Sequence, residues 1–102
     1  MNTYAVTYTY SAESAAQRDA VRPKHVEFLQ ALFDSGRLLV SGPLDAGTGA
    51  LLVIQATDEA EAAAVMDGDP FAQSGLVSER RISHWNIFFG RDKLQVPAGA
   101  RG

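Results

Sequence analysis

The stretch Leu-Leu-Val-Ile-Gln at residues 51–55 constrains the fold most, because its apolar side chains follow one another without alternation. Successive side chains of a β-strand point to opposite faces of the sheet. A strand of this composition is therefore apolar on both faces, and both faces need cover from water. The run Leu-Leu-Val at residues 38–40 has the same character.

The first third of the chain predicts a strand followed by a helix. Aromatic and β-branched residues alternate with Thr and Ala at the start, which is typical of a strand. One face of this strand would carry Tyr4, Val6, Tyr8 and Tyr10. The main helix is predicted to begin near Arg22, because Pro23 is tolerated best in a first helical turn. Residues 11–19 would form a loop and a helical turn, and Gly36 would follow the end of the helix.

The rest of the chain predicts a hairpin, a second helix and a last strand. The turn between the two middle strands is expected at Asp45–Gly49, which is rich in residues that tolerate positive φ. The second helix would start at Thr57 or Asp58 as its N-cap. A short turn follows, and the last strand is predicted over residues 76–90. Within it, Ile82, His84 and Phe88 would face one side, and Trp85, Ile87 and Phe89 the other.

The order β-α-β-β-α-β predicts an α+β, ferredoxin-like fold, with a four-stranded antiparallel sheet and two helices on one face. Residues 1–90 would form this domain, and residues 91–102 would form a flexible tail unless a partner holds it. Since two helices cover only one face, the apolar second face predicts a homodimer packed sheet to sheet as an α+β barrel. The alternative is that the tail covers a frayed last strand.

Composition excludes several functional classes. The formal net charge is −3 and the nine Lys and Arg residues are scattered, which argues against nucleic-acid binding. With no cysteine, disulfides and thiolate sites are excluded. The two histidines are far apart, so no metal site is expected. No apolar run could span a membrane, and the start of the chain has no signal-peptide pattern, which predicts a cytoplasmic protein.

His25 is the residue that simple helical packing does not explain, because it lies four residues from both Val21 and Leu29 on the inward face. In a first helical turn the exposed N–H groups disfavour a charged imidazole, and a neutral imidazole accepts protons near physiological pH. Asp69, held between a helix end and a proline, is the carboxylate best placed to orient the ring. Arg22 could hold an anionic oxygen of a ligand.

Structural alternatives exist for each of these residues. A histidine on an apolar helix face is commonly a hydrogen-bonded core residue, an Asp before Pro is commonly an N-cap, and Arg22 could be a solvated charge. His84 alternates with apolar residues and would hydrogen-bond in the sheet or in a dimer interface. The Gly-Thr-Gly at 47–49 lacks the context of a phosphate-binding loop, and no serine lies in a nucleophile motif.

Taken together, the motifs resemble the YCII family of small YciI-like proteins over about residues 1–90. The resemblance rests on Arg-Pro-Lys-His, on Leu-Phe-Asp-Ser-Gly-Arg-Leu-Leu-Val-Ser-Gly-Pro-Leu, and on the Asp-Gly-Asp-Pro-Phe that ends the second helix. It implies a dimeric α+β barrel with a catalytic His–Asp pair, here His25 and Asp69. The residues expected to bind substrate are Arg22, Ser41, Gly42, Pro43 and Phe71.

The resemblance also implies chemistry without a cofactor on a small molecule. One relative is a dehydrochlorinase of a chlorinated hydroxyhydroquinone, which suggests a lyase or isomerase that moves a proton on a cyclic or aromatic compound. The alternative is a non-catalytic dimer that binds a small ligand or acts as an accessory module. A monooxygenase, which ranks below both, would need a pocket lined by aromatic residues such as Trp85 and Phe71. The short Asp45–Gly49 turn replaces a longer loop of some relatives, which predicts a pocket that is either more open or shallower.

Overall fold

The computed structural model describes residues 1–94, which form one four-stranded sheet with its helices. The strands are β1 (Asn2–Tyr10), β2 (Leu38–Leu44), β3 (Gly49–Ala56) and β4 (Val77–His84). The helices are α1 (Ala15–Asp34), α2 (Glu59–Met66), α3 (Pro70–Gln73) and α4 (Arg91–Leu94). A single 3₁₀ turn, Asp45–Gly47, joins β2 to β3.

All three strand pairs are antiparallel, and the strand order across the sheet is β2-β3-β1-β4. This order is that of the predicted ferredoxin-like α+β fold, which is confirmed. The two central strands pair over their whole length, from Asn2 opposite Ala56 to Thr9 opposite Gly49. The register between β2 and β3 shifts after Leu38, so the edge strand contains an irregularity.

The core lies between the sheet and the helices. Alternate residues of β1 and β3 point into it, and they are buried as the period of two predicts. The buried set from these strands is Tyr4, Val6, Tyr8, Ala50, Leu52, Ile54 and Ala56. From the helix layer, Ala62 and Met66 of α2 are fully buried against this face. For β1 the alternation of the sequence therefore indicated the core face, whereas β3, apolar on both faces, gave no such signal.

The second helix begins as predicted. Asp58 is its N-cap, and its side chain accepts a hydrogen bond of 2.8 Å from the backbone N–H of Glu61. The Glu61 carboxylate in turn accepts a bond of 2.7 Å from the N–H of Thr57. These bonds satisfy N–H groups that a helix start leaves without partners.

The start of α1 was predicted wrongly. The helix begins at Ala15, so Pro23 lies inside it and His25 lies ten residues from its start instead of in its first turn. Pro23 has no N–H to donate to the carbonyl of Asp19, and the helix tolerates this one missing bond. The argument that a helix N-terminus keeps the imidazole neutral therefore does not apply to His25.

The end of the sheet was also predicted wrongly. β4 stops at His84, and residues 85–90 leave the sheet, with Ile87 buried and Phe88 and Phe89 exposed. Trp85 still donates one backbone hydrogen bond to Thr3. The beginning of the expected tail is the short helix α4, while residues 95–102 lie outside the described part of the chain. Within residues 1–94, no helix has the length and apolar character that crossing a membrane requires.

The second face of the sheet, which points away from the helices, is apolar only along β2 and β3. Cross-strand neighbours share a face, so Val40, Val53 and Ala5 lie side by side away from the helices. Leu44 and Leu51 extend this area, and Val40 and Leu44 are exposed. The β4 half carries polar residues instead, among them Arg81 and Ser83 opposite Thr7 and Ala5. The prediction of an apolar second face is therefore right for β2 and β3 and wrong for β4.

We expect Gly49→Ala to destabilise the protein, because a Cβ on Gly49 would lie 2.4 Å from the backbone oxygen of Tyr8. Relieving that clash requires a shift between two central strands, and overpacking of this kind typically costs about 1–3 kcal/mol. Gly42→Ala, in the neighbouring edge strand, is the control, since nothing lies within 4 Å of its Cβ position. Urea unfolding of both variants measures the difference, and equal stabilities would contradict this account of the sheet.

Candidate active site

A cavity of about 310 Å³ lies between α1 and the sheet, at the edge formed by β2. It is lined mainly by carbon atoms, with a few polar side chains among them. The lining residues are Tyr10, Arg18, Arg22, His25, Val26, Leu29, Ser41, Gly42, Pro43, Ala50, Leu52 and Phe71. A mostly apolar cleft with a small number of polar groups is typical of a small-molecule site.

One face of α1 forms a wall of the cavity. Arg18, Arg22, His25 and Leu29 are spaced by four, three and four residues, which places them on one side of an α-helix. His25 is the one residue of α1 that is buried. Helical spacing therefore places two guanidinium groups and one imidazole on the side of α1 that faces the cavity.

His25 is bound to Asp69 by a short hydrogen bond. The distance between His25 Nδ1 and Asp69 Oδ1 is 2.7 Å, and the Asp69 side chain has no exposed surface. When Asp69 is a carboxylate and the imidazole is neutral, Nδ1 carries the proton and Nε2 keeps a lone pair. This bond is the one side-chain hydrogen bond of the ring within residues 1–94, so Nε2 is the nitrogen open to a ligand.

Asp69 accepts three hydrogen bonds from three separate parts of the chain. Its Oδ1 accepts from His25 and, at 2.9 Å, from the backbone N–H of Phe71, while its Oδ2 accepts from the Tyr8 hydroxyl at 2.7 Å. The bond from Phe71 makes Asp69 the N-cap of α3, whose first residue is Pro70. Asp69 therefore caps a helix and orients an imidazole at the same time.

Phe71 fixes the plane of the histidine ring. The two rings are stacked, with centroids 3.8 Å apart and an angle of 5° between their planes. Tyr10 in turn meets Phe71 edge to face at 5.6 Å. A hydrogen bond at Nδ1 together with a stacked ring leaves His25 little rotational freedom, which is the arrangement that a positioned base requires.

The edge strand supplies the opposite wall. Ser41 and Pro43 pair with Leu52 and Ala50, so they face the helix side of the sheet, while Gly42 between them contributes backbone. Of the seven residues that the sequence suggested for the site, six line the cavity and Asp69 lies behind His25. The predicted aromatic role of Trp85 is not supported, because Trp85 lies at a different, polar cleft beside Asn2 and His84.

Three polar residues of the site were missed: Arg18, Tyr8 and Tyr10, the last recognised only as a strand residue. Arg18 was placed in the loop and helical turn of residues 11–19, because the main helix was started too late; its spacing of four residues from Arg22 was the available signal. Tyr8 was recognised as a strand residue, but nothing local shows that it meets Asp69, 61 positions away. His84, expected to hydrogen-bond within the sheet, is exposed, with its ring 5.5 Å from that of Tyr4.

Burial keeps the two tyrosines of the site protonated. Burial raises the pKa of the Tyr8 phenol far above its usual range, and the negative charge and hydrogen bond of Asp69 raise it further. Burial also raises the pKa of Tyr10, again assisted by Asp69 and partly opposed by Arg18 and Arg22. Tyr8 is therefore a permanent hydrogen-bond donor to Asp69 at physiological pH.

The fold and the site define a class: a ferredoxin-like α+β domain in which a buried carboxylate orients a histidine at a small apolar cavity. The family model of the YCII-related domain matches residues 2–86, and the chain belongs to this family. It is similar to protein YciI of Escherichia coli O6:H1, with 34% identity over 96 residues that cover 84% of this chain and 98% of YciI. It is also 40% identical over 63 residues to the uncharacterized protein YjpA of Bacillus subtilis, covering 62% and 73% of the two chains.

The fold is shared with a solved enzyme. The structure is similar to that of the 5-chloro-2-hydroxyhydroquinone dehydrochlorinase from Burkholderia phenoliruptrix AC1100, in complex with 2,5-dihydroxybenzoquinone. The TM-score is 0.74 at 21% identity, and the match covers 84% of this chain and 95% of the enzyme.

We expect Tyr8→Phe to lower the free energy of unfolding by about 1–3 kcal/mol, because Oδ2 of a buried carboxylate loses its donor. Tyr4→Phe is a matched control, since Tyr4 lies on the same face of β1 and its hydroxyl makes no hydrogen bond within residues 1–94. Urea denaturation at pH 7 measures both variants. A Tyr8→Phe protein as stable as Tyr4→Phe would show that the bond to Asp69 contributes nothing.

The same substitution should change the response to alkaline pH. The pKa of Tyr8 is raised above its value in the unfolded chain. The contribution of Tyr8 to stability is therefore complete below about pH 10 and is lost as the pH rises further. Above pH 10 the unfolded chain releases a proton that the folded chain retains. Stability of the wild type should therefore fall more steeply above pH 10 than that of Tyr8→Phe; parallel curves would contradict the assignment.

Proposed function

We propose that this protein is a proton-transfer enzyme of the lyase or isomerase type, acting on a small cyclic or aromatic compound without a cofactor. The observation that carries the proposal is the His25 ring, held by Asp69 and Phe71 with Nε2 available at a cavity. A histidine whose second nitrogen is bound to a carboxylate is a common arrangement of a general base.

In the proposed step, Nε2 of His25 removes a proton from a carbon or a hydroxyl group of the ligand. In an elimination, the electron pair of that bond forms a double bond, and a leaving group departs with its own pair. In an isomerisation, His25 returns the proton to another atom of the same ligand. Asp69 stabilises the imidazolium that forms in either case, and Arg22 lies on the same wall to face a developing negative oxygen.

The size of the cavity limits the ligand. A volume of about 310 Å³ lies at the lower end of small-molecule sites, so a single ring with small substituents fits. The dehydrochlorinase of similar fold was solved with a dihydroxybenzoquinone, a compound of this size and type. This agreement supports phenolic, quinone or lactone compounds as the substrate class.

A second function is favoured by the threefold bonding of Asp69. Because this carboxylate also caps α3 and binds Tyr8, the His25–Asp69 bond could be purely structural. The protein would then be a binding or accessory module whose cavity holds a ligand unchanged. The two functions differ in the consequence of replacing His25, which the next experiment measures.

We expect His25→Gln to retain ligand binding and to lose turnover by about 10²–10⁴-fold, the usual contribution of a positioned base. Ligands are first found by NMR shift perturbation in a set of phenols, quinones and lactones that includes 2,5-dihydroxybenzoquinone. Turnover of each binder is then followed by absorbance or chromatography for both proteins.

His84→Gln is the control, because the other histidine is exposed and lies at the polar cleft away from the cavity. It should leave both binding and turnover unchanged. If no binder is turned over by the wild type, or if His25→Gln turns it over equally well, the enzyme proposal is wrong and the binding module remains.

We also propose that two copies associate through the apolar half of the second sheet face. Val40 and Leu44 are exposed there, beside Leu51, and leaving such side chains in water forgoes burial worth about 1.5–3 kcal/mol each. The occupant we propose is a second copy, because in a twofold dimer the same patch of both subunits meets and each apolar half would cover the other. The polar β4 half would lie at the rim of this interface.

Sedimentation at micromolar concentration should give the mass of a dimer for the wild type and of a monomer for Val40→Asp. A carboxylate at Val40 would be buried without a partner in the interface. Val26→Asp, which replaces an exposed valine on the helix side, is the control and should remain dimeric. A monomeric wild type would overturn the proposal, as would equal dissociation of the two variants.

A further inference from the structure

The two arginines on the cavity wall differ in how their charges are balanced. Arg22 is paired with Asp19, one turn earlier on α1. Arg18 also lines the cavity, but within residues 1–94 no carboxylate lies within ion-pair distance of it. The guanidinium group of Arg18 therefore carries a positive charge that its described surroundings leave unbalanced.

Arg18 is nevertheless held firmly by neutral groups. Its Nε donates to the Ser14 hydroxyl at 3.0 Å, and its Nη1 donates to the carbonyl of Gly47 at 3.2 Å. Ser14 is almost fully buried, and its own proton goes to the carbonyl of Ser11 at 2.6 Å, so its oxygen accepts from Arg18. The guanidinium carbon also lies 4.4 Å above the centre of the Tyr10 ring. These contacts fix the group while Nη2 makes no hydrogen bond in the described chain.

No neighbouring group supplies the missing negative charge. Burial and Asp69 raise the pKa of Tyr10 despite the opposing effect of the two arginines, so the phenol under Arg18 stays neutral. Asp69 is fully buried behind His25 and is already bound by three donors. The remaining wall around the cavity is largely apolar, where a charge is screened less than in water.

We propose that Arg18 is the anion-binding residue of this cavity, and that the ligand is a single-ring compound bearing a carboxylate or phenolate oxygen. The oxygen would accept a charge-assisted hydrogen bond from Nη2 of Arg18. The ring would lie in the apolar part of the cavity, near Tyr10 and Phe71. This inference rests on the proposed function only in that both place a ligand in the same cavity.

The spacing along α1 gives the ligand an orientation. Arg18 and His25 are seven residues apart, which is about 10 Å along a helix axis at a rise of 1.5 Å per residue. The anionic group therefore binds at one end of the cavity and the imidazole acts at the other. A substrate in this orientation reacts at a ring position remote from its anionic substituent.

The test compares an anion with a neutral molecule of the same shape. Binding of 4-hydroxybenzoate and 4-hydroxybenzamide to the full-length protein is measured by NMR titration at pH 7.5. The wild type should bind the carboxylate about tenfold or more tightly than the amide, because only the carboxylate adds a charge–charge attraction to the hydrogen bond from Arg18, in a cavity that screens charge poorly. Arg18→Gln should abolish that preference and leave the affinity for the amide unchanged.

Three further variants assign the effect. Arg18→Lys keeps the charge and should retain part of the preference, and it also tests the proposal if Arg18→Gln fails to fold. Arg80→Gln removes an arginine of β4 that is paired with Asp67, and it should leave the affinities for both ligands unchanged. If Arg22→Gln loses the preference for the carboxylate and Arg18→Gln keeps it, the anion binds at Arg22 and the inference is wrong.

The remaining outcomes also decide the proposal. The proposal is wrong if the wild type binds the two compounds with equal affinity, or binds neither at millimolar concentration. It is also wrong if Arg18→Gln lowers the affinity for both compounds equally. Because the readout is binding, it is independent of turnover by His25. If the wild type prefers the carboxylate as expected and His25→Gln is fully active, Arg18 remains the anion-binding residue and His25 is not the base.

Discussion

The buried carboxylate of Asp69 is the group on which the site depends. Its three hydrogen bonds join β1, α1 and the start of α3, which are brought together only in the folded chain. A carboxylate without exposed surface is costly unless donors surround it, so these three partners are required for its burial. The same requirement aligns the imidazole: the bond that satisfies Asp69 also fixes the side of His25 that faces a ligand.

The structural and the catalytic interpretations of this group are compatible. Asp69 caps α3, as an Asp before a Pro commonly does, and it also binds Nδ1 of His25. Capping places Phe71 at the second position of α3, where its ring stacks on the imidazole. A local rule of helix starts therefore contributes directly to the rigidity of the site, and the structural role does not argue against chemistry.

Charge distribution separates the two ends of the cavity. At one end a histidine is hydrogen-bonded to its carboxylate; at the other a guanidinium group is held by a hydroxyl, a carbonyl and an aromatic ring. The short turn between β2 and β3 takes part, since the carbonyl of Gly47 positions Arg18.

The sequence alone determined the ferredoxin-like order of elements and indicated the core face of β1, because hydrophobic periodicity and helix capping are local rules. Its motifs also pointed to His25 and Asp69 as partners. It misplaced the start of α1, since Pro23 is disfavoured but not forbidden inside a helix whose packing outweighs one lost hydrogen bond. That error hid Arg18. Only the tertiary structure decided that Tyr8 donates to Asp69 across 61 positions and that the second sheet face is polar along β4, because both depend on which strands become neighbours.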